Sequence, residues 1–115
     1  MKEYFNESEI LREMATLCSK QEGFGIIVIM HSDDHEPRHV HLLSSDKSEY
    51  TKIEITDEMP TDYKNLIVLK GCNNVSSDLK KRFLEWAGKT TIGRSINNWE
   101  FAKGVWFVFH NNTNK

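Results

Sequence analysis

The sequence predicts one α+β domain in which an antiparallel sheet of three or four strands packs against two or three helices. Two patterns lead to this fold class: segments in which apolar and polar residues alternate, as in half-buried strands, and segments in which apolar residues recur at helical spacing. With 115 residues, of which 38% are hydrophobic, the chain can form one core but is too short for two domains. We expect one domain over residues 1–110 and a disordered tail over residues 111–115.

The N-terminal segment predicts a helix that ends near Lys20. Asn6 or Ser8 is a suitable N-cap, and Gly23 is a suitable stop. The apolar residues that share one stripe of this helix are Ile10, Leu11, Met14, Leu17 and Cys18. Residues 24–31 then form a β-branched run that is apolar on both faces, which predicts a central strand covered on each side.

A histidine-rich hairpin is predicted next. Residues 32–38 are polar and contain Pro37, which favours a reversal of the chain. Residues 39–43 alternate, with Val40 and Leu42 on one side and His39, His41 and Leu43 on the other, as in a half-buried strand. We expect this hairpin at one edge or end of the sheet.

Two further segments complete the predicted sheet. Residues 52–56 repeat the alternation, with Ile53 and Ile55 on the inner side, after a polar connection. Residues 66–69 form a short apolar run that suits an edge strand. Two adjacent antiparallel hairpins are therefore the simplest arrangement.

The next helix is predicted to begin at Ser76 or Ser77, which can cap it, and to end at Gly88. Its apolar face consists of Leu79, Phe83, Trp86 and Ala87. Asn97 or Asn98 can cap a last, short helix that begins at Trp99.

Residues 105–110 fit either a strand or a continuation of this last helix. Val105, Phe107 and Phe109 alternate as in a strand. A helix would instead place one set of residues on a single face: Trp99, Ala102, Trp106 and His110. We favour the helix.

The net charge of −2 is unevenly divided along the chain. Residues 1–78 carry a net charge of −7, and residues 79–115 carry +5. A basic segment of this kind can bind nucleic acid or an acidic partner, with an affinity that falls steeply as salt rises, or it can be a solvated helix face. The candidate contacts are Lys80, Lys81, Arg82, Lys89 and Arg94.

Two features indicate the cellular compartment. Neither a signal peptide nor an apolar run of membrane-spanning length is present, which favours the cytoplasm. Cys18 and Cys72 form no C-x-x-C pair, and Cys18 falls on an apolar stripe, so buried free thiols are expected at both positions.

The most informative segment is residues 31–41, which holds four of the five histidines. Because His39 and His41 are two apart on a predicted strand, their rings leave the same face and can converge on one ion. His35 lies in the turn, and His31 ends the partner strand close to His39. Three protein ligands and a free position are typical of catalytic zinc or non-haem iron sites.

The candidate metal ligands are therefore His35, His39 and His41, with His31, Asp33 and Asp34 as helpers. The divalent ion would be zinc, iron or manganese. Two other interpretations stay open: the histidines can be solvated residues of a polar turn and strand, or they can serve without metal as general acid–base groups or contacts to a partner.

The run His35-Glu36-Pro37-Arg38-His39-Val40-His41 resembles the hallmark segment His-x-Pro-x-His-x-His of domain-of-unknown-function family 4160, a family of small bacterial proteins. The similarity extends over roughly residues 24–100, including Leu84-Glu85-Trp86-Ala87 and a closing helix at Asn97-Asn98-Trp99-Glu100. Only His35, Pro37, His39 and His41 match the motif position by position. Family members often lie in loci that resemble toxin–antitoxin pairs, so the resemblance implies a small protein partner and no established reaction.

We therefore expect a non-catalytic component of a small two-protein system of the toxin–antitoxin kind, in which the histidine-rich hairpin is a recognition surface. The alternative is a metal-dependent hydrolase, acting on phosphodiesters as a phosphodiesterase or nuclease, with a three-histidine site at His35, His39 and His41.

Overall fold

The computed structural model describes residues 14–112 and confirms the α+β class. One antiparallel sheet contains four strands in chain order: β1 (Met14–Cys18), β2 (Ile26–His31), β3 (His39–Ser44) and β4 (Tyr50–Glu54). Two α-helices follow the sheet: α1 (Ser77–Ala87) and α2 (Asn98–Asn112). Over these residues, the helices are too short or too polar to cross a membrane.

The prediction of a helix that ends near Lys20 is wrong over residues 14–18, which form β1. This strand pairs antiparallel with β2, with Met14 opposite His31 and Cys18 opposite Val28. Over five residues, the spacing of apolar residues in a helix is difficult to distinguish from that in a strand. Pairing with β1 also satisfies the backbone hydrogen-bonding groups on the second edge of β2. The earlier part of the predicted helix lies outside the described residues.

The two faces of the sheet differ in their burial. One face is fully buried and holds the strand residues Ile26, Val28, Met30, Val40, Leu42 and Ile53. The opposite face of β2 is only half-buried. The prediction that this strand is covered on both sides is therefore correct for one side only. Because Ile29 lies opposite His41 in the β2–β3 register, His31, His39 and His41 all project from this second face.

α1 covers the buried face with the residues that the sequence predicted. Its N-cap is Ser76, whose hydroxyl accepts a hydrogen bond from the backbone N–H of Leu79. The buried residues of this helix are Leu79, Phe83, Trp86 and Ala87.

α2 confirms the helical interpretation of residues 105–110 and continues through Asn112, two residues into the predicted tail. It buries Trp99, Ala102 and Trp106. The indole N–H of Trp99 donates to the backbone oxygen of Thr56, just beyond the end of β4. α2 therefore begins near the end of β4, and its later turns reach the point where β3 begins.

The apolar run at residues 66–69 extends the sheet beyond β4 by an isolated bridge between Ile53 and Val68. Cys18 and Cys72 are free thiols; Cys18 is buried, as predicted, whereas Cys72 is only partly buried. Burial raises the pKa of the Cys18 thiol to about 12, so this thiol stays protonated and unreactive at neutral pH.

Candidate metal centre

The turn between β2 and β3 brings one carboxylate against two histidines of β3. Asp34 lies in this turn, and its side chain accepts a hydrogen bond from the backbone N–H of His31 at 3.1 Å. The carboxylate lies 3.1 Å from Nε2 of His41 and 3.6 Å from Nε2 of His39. The three side chains are at most 10% exposed, so they form a nearly closed cluster.

The ring of His39 presents a buried nitrogen without a hydrogen-bond partner to this cluster. Its Nδ1 lies 2.7 Å from the backbone oxygen of Pro37. Because a carbonyl only accepts, Nδ1 carries the proton, and Nε2 of the neutral ring is left with its lone pair. Nε2 is buried and has no hydrogen-bond partner. The other such side-chain atom in residues 14–112 is the indole nitrogen of Trp86, which can only donate.

His41 is oriented by Tyr50. Nδ1 of His41 lies 2.8 Å from the hydroxyl of Tyr50, and Nε2 faces both carboxylate oxygens of Asp34 at 3.1 Å. A hydroxyl both donates and accepts, so Tyr50 supports either tautomer of His41. His41 can therefore present Nε2 to the carboxylate with a proton or, with the proton on Nδ1, to a cation.

The protonation of the cluster at neutral pH follows from burial and hydrogen bonding. Burial lowers the pKa of His41 and outweighs the opposing effect of Asp34. Burial acts to raise the pKa of Asp34, but hydrogen bonds from the His31 N–H and the His41 ring outweigh it, so this pKa is lowered. The carboxylate is ionised and the His41 ring is neutral, which are the forms that bind metal.

The cluster has the size of a mononuclear site. One ligand atom from each of Asp34, His39 and His41 lies within 4.8 Å of the other two. Atoms that bind one zinc ion at about 2.0–2.1 Å in tetrahedral geometry lie about 3.3–3.4 Å apart, so closing the cluster shortens these separations by up to about 1.5 Å. Two imidazoles and one carboxylate suit zinc and, with free positions, iron(II).

The structure places the other predicted site residues around this cluster. His31 is half-buried, and its ring meets that of His41 edge to face, with centroids 4.7 Å apart. His35 and Asp33 are exposed on the turn and do not belong to the cluster. Of the three histidines predicted as ligands, the structure therefore brings His39 and His41 together.

The basic residues predicted to bind nucleic acid are partly engaged in the fold. Nε of Arg82 pairs with Asp78 at 2.7 Å, and the guanidinium of Arg94 lies 3.4 Å from the centroid of the Phe101 ring. Lys81 lies over the ring of Tyr63 at 5.1 Å. Lys80 is half-buried and Lys89 is exposed. Three of the five basic residues, Lys81, Arg82 and Arg94, therefore make contacts within the fold.

Three residues near the cluster were not identified from the sequence as site residues: Tyr50, Trp106 and His110. Trp106 packs against His39 with ring centroids 5.5 Å apart, and the ring of His110 stacks on Trp106 at 4.0 Å. For His110 the sequence does contain a signal. This residue shares a helical face with the buried tryptophans, which predicts that its side chain points into the protein. Tyr50 carries no comparable signal in the sequence.

A groove of about 490 Å³ lies near the cluster, although none of Asp34, His39 and His41 lines it. Trp106 lines it and also contacts His39. Its charged side chains are three carboxylates and one guanidinium, and the guanidinium of Arg38 is paired with Asp57 at 2.9 Å. The carboxylates belong to Glu36, Glu54 and Asp57. The groove therefore has an acidic lining.

Comparison with known proteins gives one match. A family model described as a domain of unknown function, DUF4160, matches residues 25–90. The match includes all three residues of the cluster and Tyr50, but it ends before α2 and does not reach the closing helix expected near residue 100. No curated protein and no solved structure matches significantly.

Proposed function

Because the chain belongs to the family of the domain of unknown function DUF4160, which carries no assigned activity, we propose a function from the geometry of the site: the protein binds one divalent transition-metal ion. The ligands are Asp34, His39 and His41, and the ion is zinc, iron or manganese. The observation that carries the proposal is Nε2 of His39, a buried ring nitrogen without a hydrogen-bond partner that lies 3.6 Å from an ionised carboxylate.

The contacts of the ligands support the same function. Metal-binding histidines usually donate their second N–H to a carbonyl or another polar group, which fixes the ring. Here the backbone oxygen of Pro37 does this for His39, and the hydroxyl of Tyr50 is placed to do it for His41. Solvated histidines need no such support, and the burial of both rings argues against the interpretation as exposed turn residues.

The site also supports a metal-dependent hydrolase as the activity. Three protein ligands leave at least one position free for a substrate or water, and the groove lined by Trp106, which packs against His39, provides space near the site. The bound ion would polarise the bond to be cleaved, and the protein would orient the substrate in the groove. The acidic lining of the groove disfavours an anionic phosphodiester, so we propose a neutral or cationic substrate.

Elemental analysis of protein purified without tag or chelator tests metal binding. We expect close to one zinc, iron or manganese ion per chain in the wild type. The double variant His39→Ala and His41→Ala should lose the ion, because it removes two of three ligands. His35→Ala, which changes an exposed histidine of the same turn, is the matched control and should retain it.

Two results would contradict the proposal. One is a wild type that takes up none of these ions, even after reconstitution with each of them. The other is a loss of metal in His35→Ala as large as in the double variant, which would favour a three-histidine site instead.

A second candidate function, binding of a small protein partner within a toxin–antitoxin-like pair, is supported by an apolar surface on α2. Phe107 is 65% exposed and Val108 is 51% exposed. A shallow groove lined by Ile96, Phe101, Gly104, Val105 and Val108 lies beside them. Exposed apolar patches of this kind mark protein interfaces.

Free thiols at Cys18 and Cys72 fit a reducing compartment such as the cytoplasm.

Co-expression with the protein encoded by the adjacent gene, followed by size exclusion with light scattering, tests this second function. We expect a defined complex whose apolar contact is broken by Val108→Lys. Ser95→Lys, which adds the same charge at an exposed polar position, is the control and should leave the complex intact. Elution of both proteins as separate species would count against a partner at this surface.

A further inference from the structure

The end of α2 contacts both parts of the candidate metal centre. Nε2 of His110 lies 2.8 Å from the backbone oxygen of Asp34, and Nδ1 lies 2.9 Å from that of Trp106. Because both oxygens only accept, a ring with one N–H donates to one of them at a time. The His110 ring also stacks on the Trp106 ring with an interplanar angle of 17°. Trp106 in turn packs against the ring of His39. Trp106 and His110 lie one helical turn apart and contact two different ligands. Trp106 contacts the ring of His39, and His110 contacts the backbone of Asp34.

Asp34 lies in a polar turn, where neither strand pairing nor a helix fixes the backbone and where its own N–H makes a turn hydrogen bond of 3.3 Å to the backbone oxygen of His31. Its carboxylate is held by the backbone N–H of His31, and its own carbonyl is held by His110. These two hydrogen bonds act on opposite ends of the same residue. Together they set both the position and the direction of the carboxylate relative to His39 and His41.

We propose that His110 is a positioning residue for the metal centre: its Nε2–H holds the backbone of Asp34 so that the carboxylate meets the two histidines in the geometry that binds the ion. The inference rests on the proposed metal-binding function. It assigns a role to a residue 69 positions after His41 in the sequence, outside the segment that the family model matches.

The proposal also links the ion to the helix. If docking of His110 favours metal binding, then metal binding favours docking of His110 by the same free energy. The last turns of α2 should therefore exchange their amide hydrogens more slowly in the presence of zinc. The N-terminal end of α1, which makes none of these contacts, serves as an internal reference.

Three substitutions separate the hydrogen bond to Asp34 from the other contacts of the ring. In His110→Gln the amide nitrogen lies near the position of Nε2 and can still donate to Asp34. In His110→Asn the amide nitrogen lies near the position of Nδ1, so it reaches the Trp106 carbonyl but not Asp34. His110→Phe keeps the stacking on Trp106 and has no donor.

Zinc titration of the wild type and the three variants tests the proposal. Loss of an outer hydrogen-bond partner of a metal ligand typically lowers affinity by about 10- to 100-fold, so we expect at least about a 10-fold loss in His110→Asn and His110→Phe. His110→Gln should stay within about threefold of the wild type. Thermal unfolding of the metal-free proteins shows whether the variants fold, and a merely structural role would not separate Gln from Asn.

The outcomes distinguish this proposal from the function on which it rests. Wild-type affinity in all three variants would overturn the role of His110 and leave the metal site intact. An equal loss in all three, Gln included, would also overturn it, because the donor to Asp34 would then not matter. A wild type that binds no zinc, iron or manganese would overturn the proposed function and this inference together.

Discussion

Asp34→Asn is expected to abolish measurable zinc binding, with a loss in affinity of at least about 100-fold, because it removes the charge of the carboxylate ligand. The amide oxygen can still accept the hydrogen bond from the backbone N–H of His31, so the turn should keep its shape. Isothermal titration with zinc measures the change directly. Thermal unfolding provides a second readout, since an ion at about 100 times its Kd adds about 2.7 kcal/mol to the free energy of unfolding of the wild type.

Asp33→Asn is the matched control for this substitution. The neighbouring carboxylate is exposed and outside the cluster, so the same loss of one charge in the same turn should leave zinc affinity within about twofold, as expected for a surface charge. If both variants bind zinc like the wild type, Asp34 is not a ligand. If both lose affinity equally, the effect arises from the general charge of the turn and not from coordination.

Phe83→Ala is expected to lower the free energy of unfolding by about 3–5 kcal/mol, the usual cost of truncating a buried phenylalanine. The Phe83 side chain is fully buried in α1, and its ring lies 5.7 Å from that of Trp86 and 6.3 Å from that of Trp99. The substitution therefore opens a cavity where α1, α2 and the sheet meet. Denaturant unfolding followed by circular dichroism measures the change.

Phe107→Ala provides the comparison for Phe83→Ala. This ring is 65% exposed on α2, so its removal should change the free energy of unfolding by no more than about 0.5 kcal/mol. A cost at Phe107 comparable to that at Phe83 would show that its face of α2 is covered in solution. A cost below about 1 kcal/mol at Phe83 would contradict the packing between the two helices and the sheet.

Much of the fold follows from local patterns in the sequence. Strand alternation located β3 and the apolar side of β4, and the β-branched run located β2, because the two sides of a strand meet different environments. The helical face of α1 was read in the same way. β1 was mistaken for part of a helix because its five residues are compatible with both spacings, and only its pairing with β2 decides between them.

The candidate site was predicted in part. Two histidines spaced by one residue on a strand must share a face, so His39 and His41 could be paired from the sequence. A turn has no such periodicity, and the sequence prediction made His35 the third ligand and gave Asp33 and Asp34 only a helping role. The backbone path between β2 and β3 turns Asp34 toward the strand and leaves Asp33 and His35 exposed.

The α+β class, the histidine-bearing hairpin and the shared face of His39 and His41 could all be predicted from local patterns, because they depend on spacings of a few residues. Tertiary structure alone decided that Asp34 is the carboxylate of the cluster, that Tyr50 supports His41, and that His110 reaches the turn from the end of α2. These contacts join residues on different elements. Their distances depend on how the strands and helices pack, which no local spacing specifies.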